Sequence, residues 1–324
     1  MTHLTYLEAI VVGAFQGVTE LFPVSSLGHS VLIPALVGGS WATDLNVAAP
    51  ESPYLAFIVG LHVATAAALI LFFWRDWVRI IGGLVTSIRH RRVRTPAERL
   101  AWLLIIATIP VGIAGLALEH VFRTLLGRPI PAAVFLIVNG CVLYLGERLR
   151  RRASATVDDS AATVEFGSPT DETLVMAAVP AHGPGAAHHA DAASDVRLAR
   201  LSVGRATLIG SAQILALLPG ISRSGVTMVA GLLRGLSHED AARFAFLLAT
   251  PVILAAGVLK IPDLFGPLGA GIHGQVLAGS VASFVTAYLA VRYLTRYFQT
   301  RTLTPFAIYC VAVGVAGLVW LTVR

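Results

Sequence analysis

The sequence predicts an all-α polytopic membrane protein, with six transmembrane helices and two re-entrant helical hairpins arranged as an inverted repeat. Composition is the first observation behind this: the 324 residues are 56% hydrophobic and 13% charged, with a mean hydropathy of +0.76. Soluble domains carry roughly 25% charged residues, so this chain cannot cover a water-facing surface and must turn apolar residues to lipid. Disordered, collagen-like and disulfide-scaffold classes fail on the same figures. Cys141 and Cys310, the two cysteines, both lie in apolar runs. The second observation is the placement of arginine at the edges of apolar stretches, and the third is a likeness between two broken apolar regions.

The elements follow in chain order. The first residues lack the basic stretch of a cleaved signal peptide and include Glu8, so the amino terminus is expected to be retained. Leu7 to Val37 is apolar but broken by Phe22-Pro23-Val24-Ser25-Ser26. Tyr54 to Trp74, Ala101 to Leu118 and Pro129 to Gly146 then read as spans of a bilayer core of ~30 Å. Arg75, Arg79, Arg89, Arg91, Arg92, Arg94 and Arg99 form a loop between the first two spans, and Arg148, Arg150, Arg151 and Arg152 follow the third. By the positive-inside rule these segments are cytoplasmic.

Ala153 to Val196 has no Lys or Arg, seven acidic residues and three histidines, His182, His188 and His189. It reads as an unstructured cytoplasmic linker rather than a metal site built on His188, His189 and Asp191. Ala206 to Leu236 is the second broken region, interrupted by Leu218-Pro219-Gly220-Ile221-Ser222-Arg223-Ser224. Phe244 to Leu259, Gly274 to Val291 and Thr302 to Val323 complete the six spans, with Arg292, Arg296 and Arg301 marking another cytoplasmic turn. Gly38 to Pro53 and Ile261 to His273 lack arginine and fall outside, while Glu119 to Arg128 is mixed. With the spans alternating in this way, the broken segments must enter as hairpins from opposite faces. Broken helices are tolerated at membrane depth only inside protein or beside a polar cavity.

The two broken regions are also alike in residues. Gly13, Gln16 and Gly28 recur as Gly210, Gln213 and Gly225 on a shift of 197 positions, the polar residue at the Ser26 position changes to Arg223, and the prolines are displaced by one. The chain divides into repeat 1 (residues 1–150), the insert (151–203) and repeat 2 (204–324), each repeat a hairpin followed by three spans. Inverted repeats with broken helices place a binding site at their interface. The pI of 9.8 arises from this arginine topology and does not indicate nucleic-acid binding.

Ionisable residues at membrane depth are functional by default. Arg223 opens a half-helix after Pro219-Gly220, where free amides and the helix dipole attract an anion. Its planar fork matches phosphate oxygens, with Ser222, Ser224 and Thr227 as hydroxyl donors. At the first break Ser25 and Ser26 open another half-helix. Gln16 and Glu20, four apart, share a helix face. Ser26 and His29, three apart, form a candidate nucleophile and base, with Glu20 beside them. Gln16 and Glu20 also offer oxygen ligands to Mg²⁺ or Ca²⁺. His62, in an apolar span, reads as a packing or helix-bonding residue.

At these residues the chain resembles the undecaprenyl-pyrophosphate phosphatase family of the bacitracin-resistance type. Gln16-Gly17-Val18-Thr19-Glu20-Leu21-Phe22-Pro23-Val24-Ser25-Ser26-Leu27-Gly28-His29 is similar to its (Glu/Gln)-x-x-x-Glu motif running into Pro-Val-Ser-Ser-x-Gly-His. Pro219-Gly220-Ile221-Ser222-Arg223-Ser224-Gly225-Val226-Thr227 is similar to its Pro-Gly-x-Ser-Arg-Ser-x-x-Thr motif. The resemblance implies an enzyme of the bacterial plasma membrane that removes one phosphate from undecaprenyl diphosphate, with a divalent cation, recycling the cell-wall carrier lipid. It implies Glu20, Ser26, His29, Ser222, Arg223, Ser224 and Thr227 as the functional set. Gln16 is the amide variant of the first motif position and cannot act as acid, base or anionic ligand.

The rival reading is a polyprenyl-phosphate transporter or flippase, since inverted repeats and broken helices are also transporter architecture. The Lys-x₆-Arg-Pro lipid phosphatases are excluded, because the sole lysine, Lys260, is followed by no such arginine. Homodimerisation is left open.

Overall fold

The computed structural model describes residues 4–45, 53–162, 193–266 and 270–323, and the described residues form helices without strands. Most of the expected linker, with His182, His188, His189 and Asp191, lies outside the described residues, although residues 153–162 and 193–199 at its two ends are helical.

Helix α1 (Tyr6–Leu21) begins at a capping box, in which the Thr5 hydroxyl accepts from the Glu8 amide and the Glu8 carboxylate accepts from the Thr5 amide. It stops where Pro23 pushes Phe22 into extended backbone (φ −65°, ψ 143°). Helices α2 (Ser26–Val37), α3 (Ser40–Asp44), α4 (Pro53–Phe72), α5 (Trp74–His90), α6 (Pro96–Leu126) and α7 (Pro129–Ala162) follow. After α8 (residues 193–199) comes α9 (Val203–Ser211), which tightens into a 3₁₀ turn over Ala212–Leu217 before the second break. Helices α10 (Arg223–Leu232), α11 (His238–Phe265), α12 (His273–Thr300) and α13 (Thr304–Val323) complete the chain.

Among the described residues, five segments are long and apolar enough to cross a membrane: Pro96–Leu118, Pro129–Ala153, His238–Leu259, His273–Thr300 and Thr304–Val323. The sixth expected span corresponds to α4, 20 residues without an acidic or basic side chain apart from His62. Large apolar residues point outward, among them Leu116 (81% exposed) and Phe265 (80%). That inversion of a soluble surface makes this a multi-pass membrane protein.

The two halves of the chain interleave. Helix α1 runs along α12 and α9 along α6, while α4 packs on α11 and α7 on α13. Lipid offers no hydrophobic drive between helices, so close backbone packing has to supply the attraction. Gly13 lies against the Gly279 carbonyl and Gly210 against the Ala107 carbonyl, and a Cβ at either would collide with that oxygen. These are the same two glycines that the shift of 197 relates.

One expectation is corrected. The arginine-rich stretch after the first span is not simply a loop, since Trp74–His90 forms α5. Val78, Ile81, Val85 and Ile88 recur along one face and are exposed, whereas Asp76, Ile80 and Ser87 are buried against the protein. The helix therefore turns one apolar face outward and the other against the protein, where Arg79 pairs with Asp76 and Asp195.

Helix α8 is pinned by a buried charge cluster. Arg243 of α11 donates to Asp76 at 2.7 Å and to Asp195 at 2.8 Å, Arg79 donates to Asp195 at 2.6 Å, and Arg197 forks onto Asp240.

Candidate active site

The two helix breaks meet. Ser25, the N-cap of α2, has φ +70°, a region unusual for a residue with a side chain. Its hydroxyl accepts from Gly28 N of its own helix and from Gly220 N of the second break, both at 3.2 Å. Gly220 itself takes φ +114°, and a Cβ on Gly28 would sit 2.8 Å from its Cα, so glycine at both positions lets the breaks touch.

Asn139 of α7, fully buried, clamps the junction from the side. It donates to the Pro23 carbonyl at 3.1 Å and accepts from Ser222 N at 2.9 Å. It also lies 3.3 Å from the Cys310 sulfur. Ser224 Oγ donates to the Phe22 carbonyl at 3.3 Å, adding another strand to the tie.

Glu20 is the hub, and its side chain is 2% exposed. Arg223 Nη2 pairs with Oε1. Ser26 Oγ donates to Oε2, and Gln16 Nε2 donates to the same oxygen at 3.0 Å, as their i, i+4 spacing on α1 allows. His62 Nε2 of α4 stands 3.5 Å from Oε2 and 3.3 Å from Gln16 Nε2. A buried carboxylate therefore sits between one cation and one hydroxyl, and the hydroxyl already aims its proton at the carboxylate.

The expected Ser26–His29 pair does not form. His29 Nδ1 lies 2.7 Å from the Ser25 carbonyl, which can only accept, so Nδ1 carries the proton. Nε2 faces the Tyr309 hydroxyl at 2.9 Å, and the two rings stack. On the other side Arg223 is the first residue of α10, behind the Ser222 N-cap, whose hydroxyl accepts from Gly225 N at 3.2 Å. Thr227 Oγ1 donates to the Arg223 carbonyl at 2.7 Å, so it braces the first turn of α10. Ser222 and Ser224 hydroxyls lie 3.1 Å apart.

The structure thus brings Gln16, Glu20, Ser25, Ser26, Ser222, Arg223 and Ser224 to one junction, with His29 one contact removed. Sequence reasoning missed Asn139 and Tyr309 and gave His62 a packing role. Their signals, a lone amide, a lone phenol and a lone imidazole in apolar spans, identify no partner until the spans are assembled. Among the described residues no three His, Cys, Asp or Glu side chains gather to hold a metal.

The family described as "Bacitracin resistance protein BacA" matches residues 9–316. The chain is 70% identical to the "Undecaprenyl-diphosphatase" of Mycolicibacterium paratuberculosis, over 99% of each chain. It is 53% identical to "Undecaprenyl-diphosphatase 1" of Frankia casuarinae, over 97% of each, and 40% identical to the "Undecaprenyl-diphosphatase" of Granulibacter bethesdensis, over 97% of this chain and 96% of that one. With its broken-helix junction inside the matched stretch, the chain belongs to the bacitracin resistance protein BacA family.

Proposed function

We propose that this protein is a membrane phosphatase that hydrolyses undecaprenyl diphosphate to undecaprenyl phosphate and inorganic phosphate, returning the carrier lipid to cell-wall synthesis. The observation that carries this is the shared carboxylate: Glu20 accepts from Ser26 Oγ through Oε2 and pairs with Arg223 through Oε1. The names of full-length relatives support the substrate.

In the reaction, Arg223 exchanges Glu20 for the terminal phosphate, which its fork and the amides at the start of α10 hold. Freed of its counter-ion, Glu20 takes the Ser26 proton on Oε1, the oxygen that Arg223 has left, and Oε2 stays available to a cation. Ser26 Oγ then attacks the terminal phosphorus, and the P–O bond to undecaprenyl phosphate breaks, with the electron pair leaving on that oxygen. After the first proton has been released, water gives a proton to Glu20 and attacks the phosphorus, the bond to Ser26 Oγ breaks, and Glu20 returns that proton to the serine oxygen as inorganic phosphate leaves. Ser25, held by Gly28 and Gly220, keeps Ser26 at the mouth of α2, and His29 packs behind it against Tyr309. Direct attack by water, with Ser26 only a ligand, is the alternative chemistry.

Glu20 and Gln16 would hold a Mg²⁺ or Ca²⁺ ion. The fit rests on donor chemistry: one carboxylate, and one carboxamide whose oxygen and nitrogen ends can exchange places. Bound there, the ion would neutralise charge on the phosphates.

The architecture we infer is two inverted repeats, each a re-entrant hairpin plus three spans, in the bacterial plasma membrane. The matched packing of Gly13 on α12 and Gly210 on α6 supports it. The same interleaving favours the second reading, a polyprenyl-phosphate transporter. Phosphate release from undecaprenyl diphosphate by detergent-purified protein, with and without divalent cation and beside Arg223→Ala, separates them. Release that the variant abolishes supports the hydrolase; no release from well-folded protein overturns it.

A further inference from the structure

His62 lies beside Glu20, and the proposed chemistry leaves it unused. Its ring is fixed: Nδ1 lies 2.8 Å from the Ile58 carbonyl. A carbonyl only accepts, so Nδ1 carries a proton and a neutral ring presents the Nε2 lone pair to Gln16 and Glu20. Metal-binding imidazoles are commonly oriented in this way, by donating the other ring proton to a backbone carbonyl.

The spacing of the three side chains is also that of ligands. Gln16 to Glu20 Oε2 is 3.0 Å, Gln16 to His62 Nε2 is 3.3 Å, and His62 Nε2 to Glu20 Oε2 is 3.5 Å. Neighbouring donors around a small cation, each ~2.1 Å from the metal, lie ~3.0 Å apart. The Gln16 amide nitrogen stands in this triangle, donating to Glu20 Oε2 and facing His62 Nε2. Turning the carboxamide over replaces that donor with an oxygen, and three acceptors from α1 and α4 then face one point.

We propose that His62 is a third protein ligand of the divalent cation, so that the site binds Mn²⁺ in preference to Ca²⁺. This rests on the cation-dependent phosphatase reading. An imidazole in place of a second carboxylate lowers the negative charge that Ca²⁺ depends on and adds a nitrogen that transition metals favour. Gln16 and His62 together offset the missing first-motif carboxylate.

The test uses Mn²⁺ alone with the purified full chain, wild type, His62→Ala and His62→Gln. Binding is followed by the electron paramagnetic resonance of free Mn²⁺, with Ca²⁺ as competitor. Electron spin echo modulation reads nitrogen coordination directly. The wild type should show imidazole nitrogen modulation and hold Mn²⁺ at least about tenfold more tightly than Ca²⁺. His62→Ala should lose the modulation and that preference, while Ca²⁺ binding changes little. His62→Gln, which keeps the volume and offers an oxygen, should also lose the modulation and bind both ions with an unchanged thermal melt. Wild type without nitrogen modulation, or His62→Ala with unchanged Mn²⁺ affinity, overturns the proposal. Cation-dependent phosphate release by such a wild type would leave the hydrolase reading standing, whereas absence of release fails that reading separately.

Discussion

The Ser25 hydroxyl accepts a hydrogen bond of 3.2 Å from the amide of Gly220, a residue 195 positions away in the other half of the chain. That bond joins two helix breaks which are each unremarkable alone. It also sets the distance over which Arg223 and Ser26 can share Glu20.

Ser26→Ala tests the nucleophile. The change removes one oxygen and leaves Glu20 paired with Arg223. With covalent catalysis, kcat should fall by about 10³-fold or more at nearly constant KM, because the lost interaction belongs to the transition state. Steady-state phosphate release measures it. A loss below about tenfold would favour direct water attack.

Arg223→Lys tests the fork rather than the charge. An ammonium can still pair with Glu20, but it cannot present two parallel donors to a phosphate. The expected loss is about 10²–10³ in kcat, the scale seen when one preorganised donor is removed from a transition state. Activity within a few-fold of wild type would mean that charge alone suffices.

Much of this site was legible from residue order. Pro23 and the Pro219-Gly220 pair announced the breaks, and Ser25 and Ser222 announced the helix starts, because these signals act within a few residues. Ser26 with His29 misled, since i, i+3 spacing permits contact but does not demand it. The His29 ring instead bonds the Ser25 carbonyl one turn back. Helix α5 was hidden because its arginines mark topology more loudly than Val78, Ile81, Val85 and Ile88 mark a helical face. Asn139, His62 and Tyr309 were illegible for a different reason: most of their partners come from other spans, 46 to 280 positions away.

Asn139→Leu should damage assembly and turnover together. It strands the buried Ser222 amide, at a cost of about 1–3 kcal/mol, and leaves the Pro23 carbonyl only the 3.8 Å bond from the Cys310 thiol. Both groups border the junction, so the breaks should loosen against each other. The expected outcome is a lower melting temperature and a reduced kcat for the fraction that stays folded. Asn139→Asp keeps the acceptor for Ser222 and should lose less stability than leucine if that bond dominates. Equal melting of Asn139→Leu and wild type would show that the clamp contributes nothing.

The charge cluster beneath α8 gives a prediction separable from catalysis. Arg243, Asp76 and Asp195 are all at most 6% exposed, and Arg243 donates to both carboxylates. Arg79 also pairs with both, so wild type balances two buried carboxylates with two guanidinium groups. Arg243→Met leaves one carboxylate uncompensated, at a cost of about 3–5 kcal/mol. Adding Asp195→Leu removes the surplus charge and should recover part of that loss, because the penalty comes from an unpaired buried ion rather than from an absent contact. The cluster is built from α5, α8 and α11 rather than from the helix breaks that carry Glu20, Ser26 and Arg223, so each variant should keep its kcat at temperatures below its own melt. Thermal unfolding in detergent, read beside phosphate release, checks both halves. If the double variant melts no higher than Arg243→Met, charge imbalance is not what the cluster manages, and its role is to tether α8 to α5 and α11.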